Sequence, residues 1–237
     1  MQSYEDFIST VSHELRTPLT SIRGFAQTML QSYDKLDDES KKKFLKIIEE
    51  QSNRLIHLIE NMLKVQNNED FIFKTVNAKP LIEDVIQIVK QKYNEHHFVL
   101  NYNKKLPKIL VDTDKFQQIM TNLVENGAKY SDKGTTITVT ADFAQKEDYI
   151  TIKVTDEGIG INEEDFDKIF EKFSRIDNPL TRKVQGSGLG LYITKMLVTK
   201  MNGEIKVQSS NKGTTFELNI PSENIERQAR EKCSPTR

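Results

Sequence analysis

The sequence lacks the features that would assign it to several large classes of protein. It has a single cysteine, Cys233, so an internal disulfide framework and a cysteine-based zinc site are excluded. Lysine and arginine number 34 and aspartate and glutamate 35, and the net charge of −1 argues against a general nucleic-acid footprint. No run of 18 apolar residues occurs, and no signal peptide precedes the first helical pattern. We therefore expect a soluble chain in a reducing compartment, with no nucleic-acid partner and no membrane contact by this fragment.

The length of 237 residues is sufficient for one large domain or two smaller ones. The chain opens almost directly on a helical pattern, which suggests a fragment of something longer.

The first helical pattern covers residues 2–32. Apolar residues recur every seven positions, at Ile8, Leu15, Ile22 and Met29. In this heptad register His13 occupies position f, which points away from the apolar seam, so we expect its ring to face solvent. A buried core histidine is the alternative, and the register disfavours it. Pro18 lies inside the pattern and is expected to kink the helix at a cost of ~3 kcal/mol.

A second helix is predicted to run to about residue 66, after a polar connection over 33–38. Asp37 or Asp38 can cap it. Its apolar stripe is wide, and includes Phe44, Leu45, Ile48, Leu55, Ile56, Leu58, Ile59, Met62, Leu63 and Val65. Two antiparallel helices cannot bury such a stripe alone, and a second copy of the hairpin would complete a dimeric four-helix bundle. Packing against the other half of the same chain is the alternative.

The rest of the chain mixes strands and helices. The polar residues 67–70 predict a hinge between a helical hairpin over 1–66 and an α/β domain over 71–221, with a charged tail over 222–237. Strands are predicted over 71–76, 98–102, 109–111, 135–143, 149–155, 204–209 and 214–220. Helices are predicted over 80–93, 162–167 and 187–201, and a further helix, capped by Asp112 or Asp114, is predicted to run through residue 130. This order predicts an α/β sandwich with its helices on one face of the sheet.

The helix expected before residue 130 carries Asn122, Asn126, Lys129 and Tyr130 on one polar face. An amide oxygen is a suitable hard ligand for Mg²⁺, which keeps phosphate oxygens and water in its shell. Lys129 is positioned to meet a phosphate. A solvated polar face is the alternative, and is the more usual meaning of such a pattern in isolation.

Two glycine-rich stretches follow. The first, DEGIGI over 156–161, comes directly after a strand, and Asp156 can accept a hydrogen bond from an exocyclic amine such as that of adenine. A tight turn with a cap is the alternative. The second, GSGLGL over 186–191, leads into a helix whose first amides can hold phosphate. Its spacing is neither a Rossmann fingerprint nor a P-loop.

The loop predicted over 169–187 is basic, with Arg175, Arg182 and Lys183. A mobile basic loop beside a triphosphate can act as a lid. A solvated basic loop is the alternative.

Together these motifs resemble the histidine kinases of two-component signalling. Residues 12–19, SHELRTPL, resemble the H box of that family, 122–131 its N box, 156–160 and 186–190 its two glycine boxes, and 169–173 its F box. The order and spacing match over 5–221. The resemblance implies a dimeric phospho-acceptor hairpin followed by a GHKL-type ATP-binding domain. It also implies ATP and Mg²⁺ as cofactors, a response-regulator receiver domain as partner, and a cytoplasmic location as the intracellular part of a membrane-anchored sensor kinase.

The resemblance also implies roles for single residues. His13 is the phospho-acceptor, Glu14 takes its proton, and Thr17 orients water when the kinase dephosphorylates its regulator. Asn126 ligates Mg²⁺ with help from Asn122, and Asp156 reads the adenine amine. The remaining nucleotide contacts fall on Lys129, Tyr130, Gly158, Gly160, Ile161, Arg175, Gly186, Ser187, Gly188, Leu189 and Gly190.

One position departs from the wider superfamily. Its hydrolytic members, which are gyrase-like and chaperone-like, carry a glutamate four residues before the Mg²⁺ asparagine, and this chain has Asn122 there. No general base for water is placed at that point, so we expect phosphate to pass to a side chain.

Overall fold

The structure, a computed structural model, describes residues 4–66, 70–174, 176 and 188–224; the side chains of 4–10, 13, 57 and 61–66 are also outside the description. The chain divides into two compact units, Met1–Asn68 and Glu69–Arg237. The domain and hinge boundaries drawn from the sequence stay predictions.

The first unit is a helical hairpin. Helix α1 spans Tyr4–Ser32, a short 3-10 turn spans Tyr33–Lys35, and helix α2 spans Asp38–Gln66. Of the two predicted caps it is Asp37 that caps α2, because its Oδ1 accepts the main-chain N–H of Ser40 at 2.6 Å. That N–H holds the pKa of Asp37 below its usual value.

The hairpin buries its seam between α1 and α2. The rings of Phe25 and Phe44 lie 5.2 Å apart between centroids, and Leu58 is buried. Pro18 is also buried, and α1 continues as a helix on both sides of it. Beside the seam runs an exposed apolar flank, defined by Leu19, Leu30, Leu45, Ile56 and Ile59, whose exposed fractions range from 41% to 84%.

The second unit is built on a mixed five-stranded sheet. Its elements in chain order are β1 Lys74–Val76, α3 Ala78–Lys92, β2 His97–Tyr102, β3 Ile109–Val111, α4 Thr113–Lys129, β4 Thr136–Phe143, β5 Tyr149–Thr155, α5 Gly190–Lys200, β6 Glu204–Ser210 and β7 Gly213–Pro221. The strand order is β2-β4-β5-β7-β6, with β2 parallel to β4 and the other neighbours antiparallel. Strands β1 and β3 form a separate antiparallel pair.

The core of this unit lies between the sheet and the helices. Alternate residues of β4 and β7 are buried, as expected for strands with one covered face. The largest fully buried side chains come from both layers, and include Ile82, Phe116, Ile119, Met120, Leu123, Ile137, Ile150, Ile152 and Leu218. The expected fold class, a helical hairpin followed by an α/β sandwich, is confirmed.

Several predicted boundaries were wrong. The strand predicted over 71–76 is reduced to β1, since the N–H of Ile72 donates to Oδ2 of Asp112 at 2.9 Å instead of joining a ladder. Helix α3 begins at Ala78, two residues early, because Asn77 Oδ1 accepts the N–H of Lys79.

Two predicted helices also differ. The helix predicted over 162–167 is replaced by two 3-10 turns, Glu163–Asp165 and Lys168–Phe170. Helix α5 begins at Gly190 and not at residue 187.

Candidate functional site

The end of helix α4 lies against the two glycine-rich stretches. A side chain at Gly127 would place its Cβ 3.3 Å from the Cβ of Asp156, just after β5. A Cβ at Gly190, the first residue of α5, would overlap Oδ1 of Asn122 and lie 3.1 Å from its Cγ. Helix α4, which carries Asn122, therefore packs against both glycine-rich stretches, although the three segments are far apart in sequence.

Asp156 is the buried carboxylate of this place, with 7% of its surface exposed. Its Oδ1 accepts two main-chain N–H groups, from Gly158 at 2.9 Å and from Thr214 on β7 at 3.1 Å. Burial raises the pKa of Asp156 above its usual value, although both amides act to lower it. Within the described part of the chain, Oδ2 has no hydrogen-bond partner, so it is the oxygen that a ligand would meet.

The turn after Asp156 packs closely on the end of α4. The N–H of Ile159 donates to the carbonyl of Tyr130 at 3.2 Å, and a Cβ at Gly158 would overlap that carbonyl oxygen. Next to it, Oγ of Ser131 is buried and has no hydrogen-bond partner among the described residues. An unpaired buried hydroxyl close to Asp156 fits a ligand with a polar edge, such as a nucleobase. Ser131 ends the 122–131 motif, but no role was predicted for it.

The first glycine stretch is also anchored to the β6–β7 hairpin. Gly160 has a φ of +72° and lies against the carbonyl of Ser210, where no Cβ would fit. The next N–H, of Ile161, donates to Oγ of Ser209 at 2.8 Å. The predicted residues Gly160 and Ile161 are therefore fixed beside Asp156 by the sheet itself.

Asn122 joins α4 to α5. Its Nδ2 donates to Oγ1 of Thr194 at 2.8 Å, and Thr194 is fully buried. This bond fixes the amide so that its oxygen is on the Gly190 side. Asn126, one turn further along α4, is half-buried.

Lys129 is held by an ion pair. Its Nζ lies 3.0 Å from Oε2 of Glu125, and the other oxygen of Glu125 lies 3.0 Å from Nζ of Lys92 on α3. Burial would raise the pKa of Glu125, but the two lysines outweigh it and hold the pKa below the usual value. Glu125 lies within the 122–131 motif but had no predicted role, and Lys92 lies outside every motif. Only the fold brings them together.

The second glycine stretch is described only in part. Gly188 has a φ of +68° and packs on the main chain of Phe173 and Ser174, and Leu189 is buried and starts the first turn of α5. The predicted residues Arg175, Gly186 and Ser187, with Arg182 and Lys183 of the predicted lid, lie outside the described residues.

The first unit carries the other predicted site residues on α1. The side chain of His13 is outside the described part, so its expected solvent-facing orientation stays a prediction. Glu14 lies beside it in sequence and forms an ion pair with Arg54 of α2, with Nη2 and Oε2 3.6 Å apart. Thr17, one turn on, is exposed. Arg54 was not identified from the sequence, because no motif there marks it.

His96 and His97 lie at the start of strand β2, which begins at His97. His96 is buried with Nδ1 3.3 Å from Oγ1 of Thr135, and His97 is exposed. No group of three His, Cys, Asp or Glu side chains in the described ranges could hold a metal ion.

Among the residues that the structure describes, no helix has the length and apolar character needed to cross a membrane.

Two family models match the chain in succession. The His Kinase A (phospho-acceptor) domain matches residues 3–70. The histidine kinase-, DNA gyrase B- and HSP90-like ATPase matches residues 111–224.

Similar proteins are named as sensors. The chain is 33% identical over 228 residues to the sensor histidine kinase WalK of Bacillus subtilis, covering 93% of this chain and 37% of that protein. It is 34% identical over 227 residues to the sensor protein SrrB of Staphylococcus aureus, with coverage of 93% and 38%. The chain thus spans less than two fifths of the length of these relatives.

A solved structure extends the likeness to the whole fold. The histidine kinase ThkA, in complex with the response regulator protein TrrA, matches with a TM-score of 0.75 and 25% identity over 94% of this chain and 63% of that one. A phospho-acceptor hairpin followed by an ATPase domain is the order of a kinase core, and the chain has the catalytic core of the two-component histidine kinases.

Proposed function

We propose that this chain is an ATP-dependent protein-histidine kinase that phosphorylates His13 and passes the phosphoryl group to an aspartate of a response regulator. The observation that carries the proposal is that helix α4 packs on both glycine-rich stretches, with Asn122 against Gly190 and Gly127 against Asp156. We assign this place to the nucleotide, on a chain whose other unit matches a phospho-acceptor domain.

The adenine end of the nucleotide belongs at Asp156. Its Oδ2 accepts a hydrogen bond from the exocyclic amine, while the buried hydroxyl of Ser131 supplies a second polar contact. Gly158, Gly160 and Ile161 form the wall of this end. The phosphates are assigned to Lys129, Tyr130, Arg175 and the amides of 186–190, since a helix start favours negative charge.

Mg²⁺ would be held by Asn126, with help from Asn122. The donor set fits this ion, because the bond from Asn122 to Thr194 uses the amide nitrogen and leaves the oxygen as the ligand. When bound, the ion offsets negative charge on the phosphates.

The chemical step belongs to His13 and Glu14. A ring nitrogen of neutral His13 attacks the γ-phosphorus, and the bond from that phosphorus to the β,γ-bridging oxygen breaks, so that ADP leaves with the electron pair. Glu14 accepts a hydrogen bond from the other ring N–H and takes its proton. The pair with Arg54 holds the Glu14 side chain against α2. The amide of Asn122 cannot act as the base for an attacking water.

A homodimer is part of the proposal. The exposed apolar flank runs along both helices of the hairpin, and a second copy of the hairpin would cover it in a four-helix bundle. We assign a second copy of this chain to the flank because the phospho-acceptor family model matches the hairpin itself, over residues 3–70.

We further propose that the kinase also dephosphorylates its regulator. Thr17 lies one helical turn beyond His13 on α1 and is exposed, where it can orient a water. The similar protein ThkA was solved with a response regulator, which supports a receiver domain as the partner. The relatives are named as sensors. We propose that this chain is the intracellular part of a membrane-anchored sensor kinase.

The proposed activity is tested by phosphotransfer. The full chain is incubated with γ-labelled ATP, separated from nucleotide, and offered to purified receiver domains. The label should move from the kinase to one receiver domain, and Thr17→Ala should mainly slow its later release from that domain. A chain that binds ATP and a receiver domain without transferring label would be an interaction module, and the proposal would be wrong.

A further inference from the structure

Glu125 on α4 is shared by two lysines from different helices. Its Oε1 accepts from Nζ of Lys92 and its Oε2 from Nζ of Lys129, both at 3.0 Å. The side chain of Glu125 is 21% exposed, that of Lys129 is 29% exposed, and that of Lys92 is 60% exposed. The carboxylate is thus largely withdrawn from water and has a cation at each oxygen.

Lys129 is the member of the trio that lies next to the proposed nucleotide site. It precedes Tyr130, whose carbonyl receives the N–H of Ile159 in the turn after Asp156. Lys92 sits in the last turn of α3 and belongs to none of the motifs that define the site.

A phosphate that attracts Lys129 would draw its ammonium group away from Glu125. A carboxylate that is mostly out of water is costly to leave without a cation. If Lys129 were the sole partner, its move toward a phosphate would leave that carboxylate uncompensated. Because Lys92 holds the other oxygen, Glu125 keeps a counter-ion throughout.

Lys92 is positioned to remain bonded to Glu125 when Lys129 turns away. Its Nζ lies 5.3 Å from the centroid of the Tyr93 ring, a cation–π distance, in addition to its bond to Glu125. Lys129 has three N–H donors and a flexible stem, so it can turn from Glu125 to a nearby acceptor.

We propose that Lys92 is the counter-ion that keeps Glu125 paired when Lys129 turns to a nucleotide phosphate. Lys92 thereby raises nucleotide affinity although it lies outside the nucleotide site. Lys92 is therefore a positioning residue and not a catalytic one. This inference rests on the proposed function, since it takes Lys129 as a phosphate contact.

The first test compares Lys92→Gln with Lys90→Gln, a matched change at an exposed lysine in the same last turn of α3. ATP and adenosine are titrated calorimetrically into the full chain. Lys92→Gln should weaken ATP about five- to tenfold, the range expected for a partly buried charge-assisted pair. Adenosine, which has no phosphate, should bind all three proteins equally, and Lys90→Gln should bind ATP like the unaltered chain.

A double-variant cycle separates this role from a general effect of charge. In a Glu125→Gln background Lys129 has no carboxylate to leave, so adding Lys92→Gln should change ATP affinity less than twofold. An equal loss in both backgrounds would mean a long-range charge effect and would overturn the inference. Lys92→Arg, which restores the cation, should recover most of the affinity even if Glu125→Gln does not fold.

Two other results would also be decisive. If Lys92→Gln left ATP affinity unchanged, or weakened adenosine as much as ATP, the inference would fall while the nucleotide site stood. If the unaltered chain did not bind ATP at all, the proposed function itself would fall, and this inference with it.

Discussion

The main-chain N–H of Thr214 donates to Oδ1 of Asp156 at 3.1 Å, which ties strand β7 to the turn that follows β5. The N–H of Gly158 donates to the same oxygen. One oxygen of the carboxylate is thus committed to the fold, and the other is presented to a ligand. In the proposed nucleotide site, Asp156 would therefore be preorganised as an acceptor.

Replacement of Asp156 by Asn should separate ligand recognition from folding. The amide oxygen can still accept the two N–H groups, but the amide nitrogen would face the adenine amine as a second donor. We expect ATP affinity to fall about 10- to 100-fold, the range for a hydrogen bond to a charged group. Asp142→Asn, at an exposed carboxylate bonded to Asn103, is the matched control. Equal ATP affinity in the two variants would contradict the role of Asp156.

The same change predicts an effect of pH on stability. Burial raises the pKa of Asp156 in the folded chain above its ordinary value of 3.8, so the charged form is disfavoured by folding. Its favourable contribution is present below pH 3.8 and is lost as the pH rises through the folded pKa. Asp156→Asn should therefore raise the free energy of unfolding in urea at pH 7. A loss of stability at that pH would contradict the burial argument.

The pH dependence of stability that comes from Asp112 should have the opposite sign to that from Asp156. Burial alone would raise its pKa, but the N–H groups of Ile72, Asp114 and Lys115 outweigh this and hold the pKa below 3.8. Its contribution is therefore present above pH 3.8 and is lost as the pH falls through the folded pKa. Asp112→Ala should cost about 1–2 kcal/mol in urea unfolding at pH 7, the range for a lost helix cap.

Asp114→Ala provides the control for that measurement, since Asp114 is exposed in the first turn of the same helix and does not cap it. It should cost only a few tenths of a kcal/mol. Similar losses for Asp112 and Asp114 would show that the cap is not the cause.

Gly190→Ala tests the contact between α4 and α5. The added methyl group would overlap Oδ1 of Asn122, so the amide must move or the helices must part. We expect a loss of ATP affinity of about tenfold or more, as for other small-to-large changes in tight packing. Gly24→Ala is the control, because a Cβ there meets nothing within 4 Å and α1 should gain ~0.5–1 kcal/mol. Normal ATP binding by Gly190→Ala would mean that the contact does not shape the site.

The exposed apolar flank predicts the oligomeric state. Ile56→Glu combined with Ile59→Glu places charge on the flank of α2 and should convert the dimer to monomer in sedimentation experiments. Lys43→Glu, an exposed position on the other side of the same helix, should leave the dimer intact. A monomeric unaltered chain, or a dimer that survives both glutamates, would show that the flank is not the dimer interface.

The sequence was informative where periodicity is strong. Heptad spacing predicted both hairpin helices, and alternation predicted β4 and β5 to within one residue. The motifs also singled out Asn122 and Asp156, and the structure places both against the glycines expected near them. Their roles in binding stay predictions.

Contacts between residues far apart in the chain could not be predicted from the sequence. Asp112 takes the N–H of Ile72 from 40 residues away, which shortens β1, and no local pattern signals that bond. Lys92 meets Glu125 across 33 residues, and Ser131 becomes an unpaired buried hydroxyl only when Gly158 packs against it. Such contacts depend on tertiary packing and not on propensity.

In the proposed reaction His13 receives phosphate from ATP, and replacement of His13 tests this step. The full chain and its His13→Gln variant are incubated with γ-labelled ATP, and the label bound to protein is followed before and after mild acid. Label on the unaltered chain that is lost in acid, and no label on His13→Gln, is the predicted result. Acid-labile label of equal amount on His13→Gln would contradict the claim.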